Sequence, residues 1–167
     1  MLKRIDHVGV IVDSLEEAKR FLGNLGMEFD RDLVLPDRLR AAFYRCGEIQ
    51  VEIIEITEPA ERMQRLGDDT ARIEHIALEV DDLAATLKAL EGLGVKVNTA
   101  KPALVGNSLN FWTVAETCDG VMYQLIQKAE LAVEALRHRD HRKGSVPEPP
   151  TVSAIPFAHR CAISWTA

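Results

Sequence analysis

From Ile5 to Val12 apolar and polar positions alternate with the period of a strand, Val8, Val10 and Val12 sharing one side of the pleat. The pattern then changes. Leu15, Ala18, Phe21, Leu22 and Leu25 fall on one stripe of a helix. Further strand-like runs follow near 27–33, 40–46 and 49–56. The same succession returns later, with Ile76, Leu78 and Val80 on one side of a strand and Leu83, Leu87, Leu90 and Leu93 on a helical stripe. Runs near 95–99, 109–114 and 121–127 complete it. Both halves read βαβββ, module one at about 3–56 and module two at about 73–127. Residues 57–72 link them and hold a short helix around Ala60–Leu66.

The halves are copies, because identities as well as pattern recur. Ile5, His7, Val12, Asp13, Leu15, Leu22, Leu25 and Gly26 reappear as Ile73, His75, Val80, Asp81, Leu83, Leu90, Leu93 and Gly94, a constant offset of 68. The shared punctuation has a physical meaning. Asp13-Ser14 and Asp81-Asp82 stand where a strand must become a helix and can accept from first-turn N–H groups, with Ser14 and Glu17 at capping-box spacing. Gly26 and Gly94 end each helix, where a left-handed residue is favourable for glycine. VEIIE at 51–55 aligns with YQLIQ at 123–127, the offset having grown to 72 through loop length.

Period two then sorts the polar residues. With the apolar sides of the strands on the helices, His7 and His75 lie on the opposite face. Val51 and Ile53, like Tyr123 and Leu125, belong to the helix side, so Glu52 and Gln124 join the histidines. Two imidazoles, a carboxylate and an amide oxygen at matched positions make a mixed nitrogen and oxygen donor set. It suits Zn, Co, Ni, Mn or Fe as divalent ions, with positions left open for a chelating substrate. Phe43, Tyr44, Phe111 and Trp112 line a cleft or belong to the core.

Composition narrows the rest. Apolar residues are 47% of the chain, enough for a core, and the formal net charge of −6 disfavours nucleic acid and anionic membrane as partners. No apolar run approaches the roughly 20 residues of a membrane span. Cys46, Cys118 and Cys161 are scattered with no CxxC spacing, which reads as reduced thiols in a cytoplasmic protein. Residues 129–167 have no counterpart in the repeat. Leu131–Arg137 could extend as a helix, and a mixed-charge patch and a proline-rich stretch follow.

On these residues the chain resembles the vicinal-oxygen-chelate superfamily: glyoxalase I, methylmalonyl-CoA epimerase, extradiol dioxygenases, and the fosfomycin and bleomycin resistance proteins. The likeness runs from about Lys3 to Gln127 and rests on IDHVGVIVDSLEEAKRF, IEHIALEVDDL, VEIIE and GVMYQLIQ. LVLPDRLRAAFYRCG and GNSLNF look closest to the epimerase. The resemblance implies an α+β fold of two tandem βαβββ modules forming an open barrel within 1–128. It also implies His7, Glu52, His75 and Gln124 as metal ligands, and an isomerase or lyase that stabilises an enolate of a small carbonyl compound or CoA thioester, with Glu52 as the candidate catalytic group. The epimerase pattern puts the amide in the first half and the carboxylate in the second; here they are exchanged. An acidic base expected in the PDRL loop has Asp37 as its nearest match. A lactoylglutathione lyase-like enzyme and a non-enzymatic drug-sequestering protein are the alternatives, and a homodimer is expected.

Overall fold

Strand gives way to helix identically in the two modules. The structure is a computed structural model and describes residues 2–128. It contains β1 (Leu2–Val12), α1 (Leu15–Asn24), β2 (Glu28–Leu35), β3 (Leu39–Cys46) and β4 (Ile49–Ile56). A linker helix α2 (Pro59–Arg65) follows, then β5 (Ala71–Val80), α3 (Leu83–Gly92), β6 (Ala103–Val105), β7 (Ser108–Trp112) and β8 (Met122–Lys128). This is βαβββ twice, an α+β architecture. Ser14 caps α1 by accepting from the Glu17 N–H, and Asp82 caps α3 by accepting from the Ala85 N–H. A strand residue satisfies a further orphan donor in each case: Glu55 accepts from the Leu15 N–H and Gln127 from the Leu83 N–H. At the far ends, Met27 donates back to the Leu22 carbonyl and Val95 to the Leu90 carbonyl. Gly26 (φ +80°) and Gly94 (φ +78°) make those closures possible.

The chain forms two compact units. Among the described residues, one comprises 5–77 and the other 2–4 with 78–128, so β1 and β5 each pass from one unit to the other. In the first the strand order is β2-β3-β4-β1-β5. β1 and β4 run parallel, and β2-β3-β4 is an antiparallel meander. One face packs on α1 through Val12, Leu15, Ala42, Tyr44 and Ile53. On the other face Ile11, Ala41, Ile54 and Ile56 pack with Leu66, which follows α2 and is fully buried.

In the second unit β8, β7 and β6 are antiparallel neighbours, and Leu83 of α3 packs with Phe111 of β7, Leu125 of β8 and Val80 at the end of β5. The strand expected at 95–99 is reduced to one bridge, Val97 to Thr113. Its ladder is cut short on both sides. The Lys96 N–H goes to Thr117 Oγ1, Thr99 turns back onto the Lys101 carbonyl, and Pro102 has no N–H to offer. Pairing resumes at β6. No helix among the described residues is long and apolar enough to cross a membrane. Cys46 and Cys118 are free thiols. The helix expected at Leu131–Arg137 and Cys161 lie outside the described residues.

Candidate metal centre

Strand register arranges one face of the first unit in rows. His7 pairs with Gln50, and Gln50 with Arg45. Two pleats on, Gly9 pairs with Glu52, Glu52 with Phe43 and Phe43 with Arg31. The next row is Ile11, Ile54, Ala41 and Leu33. A carboxylate thus stands in the middle of a face whose next row is wholly apolar. His75 reaches it from β5, because Gly9 leaves room: a Cβ at position 9 would lie 2.2 Å from the imidazole Cε1 of His75. Here glycine is required for space, at a φ open to any residue.

Three of the four candidate ligands therefore meet within one unit, and all three are buried. His7 Nε2 lies 3.2 Å from His75 Nε2 and 3.2 Å from Glu52 Oε2, and His75 Nε2 lies 3.5 Å from the same oxygen. An acid holds the other nitrogen of each ring. His7 Nδ1 is 2.9 Å from Asp6 Oδ1, and His75 Nδ1 is 3.3 Å from Glu74 Oε2. A carboxylate only accepts, so each Nδ1 carries its proton and each Nε2 presents a lone pair. Glu74 is itself fixed by Arg65, Nε 2.6 Å away, and Arg65 by Glu61.

Two lone pairs and a carboxylate oxygen facing one another repel unless a cation stands among them. Two nitrogens bound to one tetrahedral zinc at about 2.0–2.1 Å would be ~3.3 Å apart, close to the 3.2 Å found here. The donor set and spacing fit a divalent metal. Without one, a proton serves. Burial alone would lower His75, but hydrogen bonds to Glu52 and Glu74 and their charges outweigh it and raise the ring to about 9. His7 is likewise raised, against burial, by Asp6 and Glu52. Burial would raise the Glu52 carboxyl, but the two histidines prevail and hold it at about 2. Both imidazole contacts use Oε2, and Oε1 has no partner among the described residues.

Gln124 is built in the other unit, buried on β8. Its amide is oriented by a relay. Asn110 Nδ2 donates to the carbonyls of Ser108 and Ala103, so Asn110 Oδ1 must accept, and it takes the Gln124 Nε2–H at 2.9 Å. Gln124 Oε1 is thereby kept as the outward acceptor. Of the four aromatics, Phe43 sits on the triad's face, edge-on to His7 with centroids 5.6 Å apart. Trp112 pairs with Gln124 across the strands. Tyr44 and Phe111 belong to the cores under α1 and α3. Asp37 is exposed at the β2–β3 turn, with φ +61°.

Sequence reasoning overlooked Asp6, Glu74, Gly9 and Asn110. For the first three a signal was present. An acid precedes each histidine at the same repeat position, and a small residue, Gly9 or Ala77, follows two places on. Asn110 offered none, since its role depends on a diagonal contact between β7 and β8.

Comparison with known proteins agrees with this architecture. The family model for the Glyoxalase/Bleomycin resistance protein/Dioxygenase superfamily matches residues 6–112. An uncharacterised Bacillus subtilis (strain 168) protein, YqjC, is 28% identical over 131 residues, 75% of this chain and 93% of its own. Among solved structures, methylmalonyl-CoA epimerase from Mycobacterium tuberculosis superposes with a TM-score of 0.69 at 23% identity, covering 79% of this chain and 93% of that one. A single-residue variant of Streptomyces coelicolor methylmalonyl-CoA epimerase, in complex with 2-nitronate-propionyl-CoA, gives a TM-score of 0.68 at 23% identity, covering 77% of this chain and 99% of that one. These likenesses establish the vicinal-oxygen-chelate fold.

Proposed function

Because the chain belongs to the glyoxalase/bleomycin resistance protein/dioxygenase superfamily, we propose that it is a metal-dependent isomerase or lyase. It would move a proton beside the carbonyl of a small carbonyl compound or CoA thioester, in the manner of methylmalonyl-CoA epimerase. The observation that carries this is the convergence of His7 Nε2, His75 Nε2 and Glu52 Oε2, each imidazole held by its own acid. His7, Glu52 and His75 would hold the ion, and Gln124 is proposed as a further, neutral ligand. A divalent ion held there would supply Lewis acidity toward a carbonyl and toward the charge left when the neighbouring carbon loses its proton. Asp6 and Glu74 keep both rings in the Nδ1–H tautomer. Glu52 Oε1 accepts the substrate proton and returns it. Phe43 walls the site beside His7. The protein works as a cytoplasmic homodimer, with no nucleic acid or membrane partner.

One observation favours a second reading. Epimerisation is simplest with a base on each side of the carbon, yet the row beside Glu52 is Ile11, Ile54, Ala41 and Leu33. Gln124 cannot accept a proton, and Asp37 is at an exposed turn. A lactoylglutathione lyase-like transfer between neighbouring carbons needs only Glu52. A drug-sequestering protein would have no use for the triad.

Elemental analysis of tag-free protein tests the proposal. About one equivalent of Co, Mn, Ni or Zn is expected, lost in His7→Ala/His75→Ala. Glu52→Gln should retain some metal and lower turnover of methylmalonyl-CoA or a hemithioacetal by about 10²-fold or more. No metal under any loading condition, with small-molecule binding insensitive to chelator, would replace this reading with sequestration. Light scattering at the monomer mass would remove the dimer.

A further inference from the structure

β2 carries a bulge whose effect is to move one arginine. Phe29 pairs with Tyr44 and Arg31 with Phe43, so Asp30 is the extra residue. Phe29 lies on the α1 side, edge-on to Tyr44. Uninterrupted alternation would put Arg31 on that side too. The bulge turns it onto the face of the triad, the kind of re-aiming that bulges near functional sites perform. There its guanidinium carbon stands 3.8 Å from the centroid of the Phe43 ring, whose other neighbour is His7.

The guanidinium is only partly used. Nη1 donates to Asp30 Oδ2 at 2.5 Å and to Gln50 Oε1 at 3.2 Å. Nε and Nη2 have no partner among the described residues, and the side chain is 51% exposed. Asp30 does not neutralise Arg31 alone, because Arg45 takes its other oxygen through Nε and Nη2 at 3.0 and 2.6 Å. What is left is the flat two-donor edge of an arginine already placed by stacking, Asp30 and Gln50, one ring away from a metal ligand. That edge matches the two oxygens of a carboxylate.

We propose that Arg31 is a substrate-binding residue that pairs through its Nε–H and Nη2–H edge with a carboxylate at the end of the substrate remote from the chelated carbonyl. This rests on chelation at His7, Glu52 and His75, and it narrows the substrate class to carbonyl compounds carrying a second, anionic end.

The test uses the cobalt-loaded full chain and two probes. 2-Oxoglutarate and 2-oxopentanoate offer the same vicinal oxygens and chain length, but only the first has a distal carboxylate. Titration is followed by calorimetry and by the visible band of the cobalt. 2-Oxoglutarate should bind about tenfold tighter or more. Arg31→Gln and Arg31→Met, the latter keeping an apolar cover on Phe43, should bring the ratio to near one and leave 2-oxopentanoate unchanged. Arg31→Lys should restore it only in part. Arg40→Gln, on the α1 side of β3, should keep the full preference, separating a specific pair from a general charge effect. Equal binding by the unmodified chain, or a preference surviving in Arg31→Met, overturns the assignment while the chelating site stands. No change in the cobalt band with either probe overturns the chelating site, and Arg31's role with it.

Discussion

A methyl group at position 9 would come within 2.2 Å of the His75 ring, far inside contact distance. Gly9→Ala should therefore push His75 away from His7 and Glu52. A loss of metal affinity of at least about tenfold is expected, with a cost of about 1–3 kcal/mol in chemical unfolding typical of overpacking; an unchanged cobalt titration would contradict the packing. The same three side chains predict a proton–metal exchange. His75 is raised to about 9 when only a proton stands beside Glu52 and Glu74. A raised value means that the protonated form's stabilisation is complete below the ordinary 6.5 and is lost as pH rises through about 9. Competition with the metal follows the same course. Cobalt affinity should rise by roughly tenfold or more per pH unit across that window, since His7 is raised as well, with at least about one proton released at about pH 7.5. Calorimetry in two buffers of different ionisation enthalpy reads that proton, and pH-independent binding would sink the exchange.

At the scale of elements, the caps of α1 and α3 differ in strength. The Ser14 hydroxyl is 3.3 Å from the Glu17 nitrogen, whereas the Asp82 carboxylate is 2.9 Å from that of Ala85 and carries charge at the positive end of the helix. Ser14→Ala and Asp82→Ala should each cost about 1 kcal/mol, Asp82→Ala the more, as read from urea unfolding midpoints. These caps were legible because a cap is a local contract between a side chain and backbone three residues away. β6 and the bulge at Asp30 were not. The bulge depends on which β3 residue faces each β2 residue, and the short ladder at Val97 depends on where Thr117 spends its hydroxyl. Periodicity along one strand carries neither.

At the scale of the molecule, one ion cluster ties distant parts of the sequence within a single unit. Glu79 is buried and meets Lys3 at 2.7 Å, Arg4 at 3.0 Å and Lys128 at 3.2 Å. Burial would raise its carboxyl, but the three cations hold it at about 2. A lowered value contributes stability that is present above the ordinary 4.5 and lost as pH falls through about 2. Because the partners are 38–47% exposed, the contribution should be on the order of 1–2 kcal/mol. Glu79→Gln should flatten the acid limb of the stability curve, and an unaltered limb would show the cluster to be idle.

The sequence by itself determined the duplication, the α+β class, the caps, the glycine closures and which side of its own strand each of His7, Glu52, His75 and Gln124 occupies. All of these follow from spacing along one segment, where backbone geometry leaves few choices. Tertiary structure decided how those positions become a site. It brought His7, Glu52 and His75 to within hydrogen-bond distance over the bare backbone of Gly9, and it set Asp6 and Glu74 behind the rings. It also turned Asn110 onto Gln124 and swung Arg31 onto Phe43. Each is a relation between strands, fixed by register and packing across the sheet, and a pattern read along the chain has no term for it.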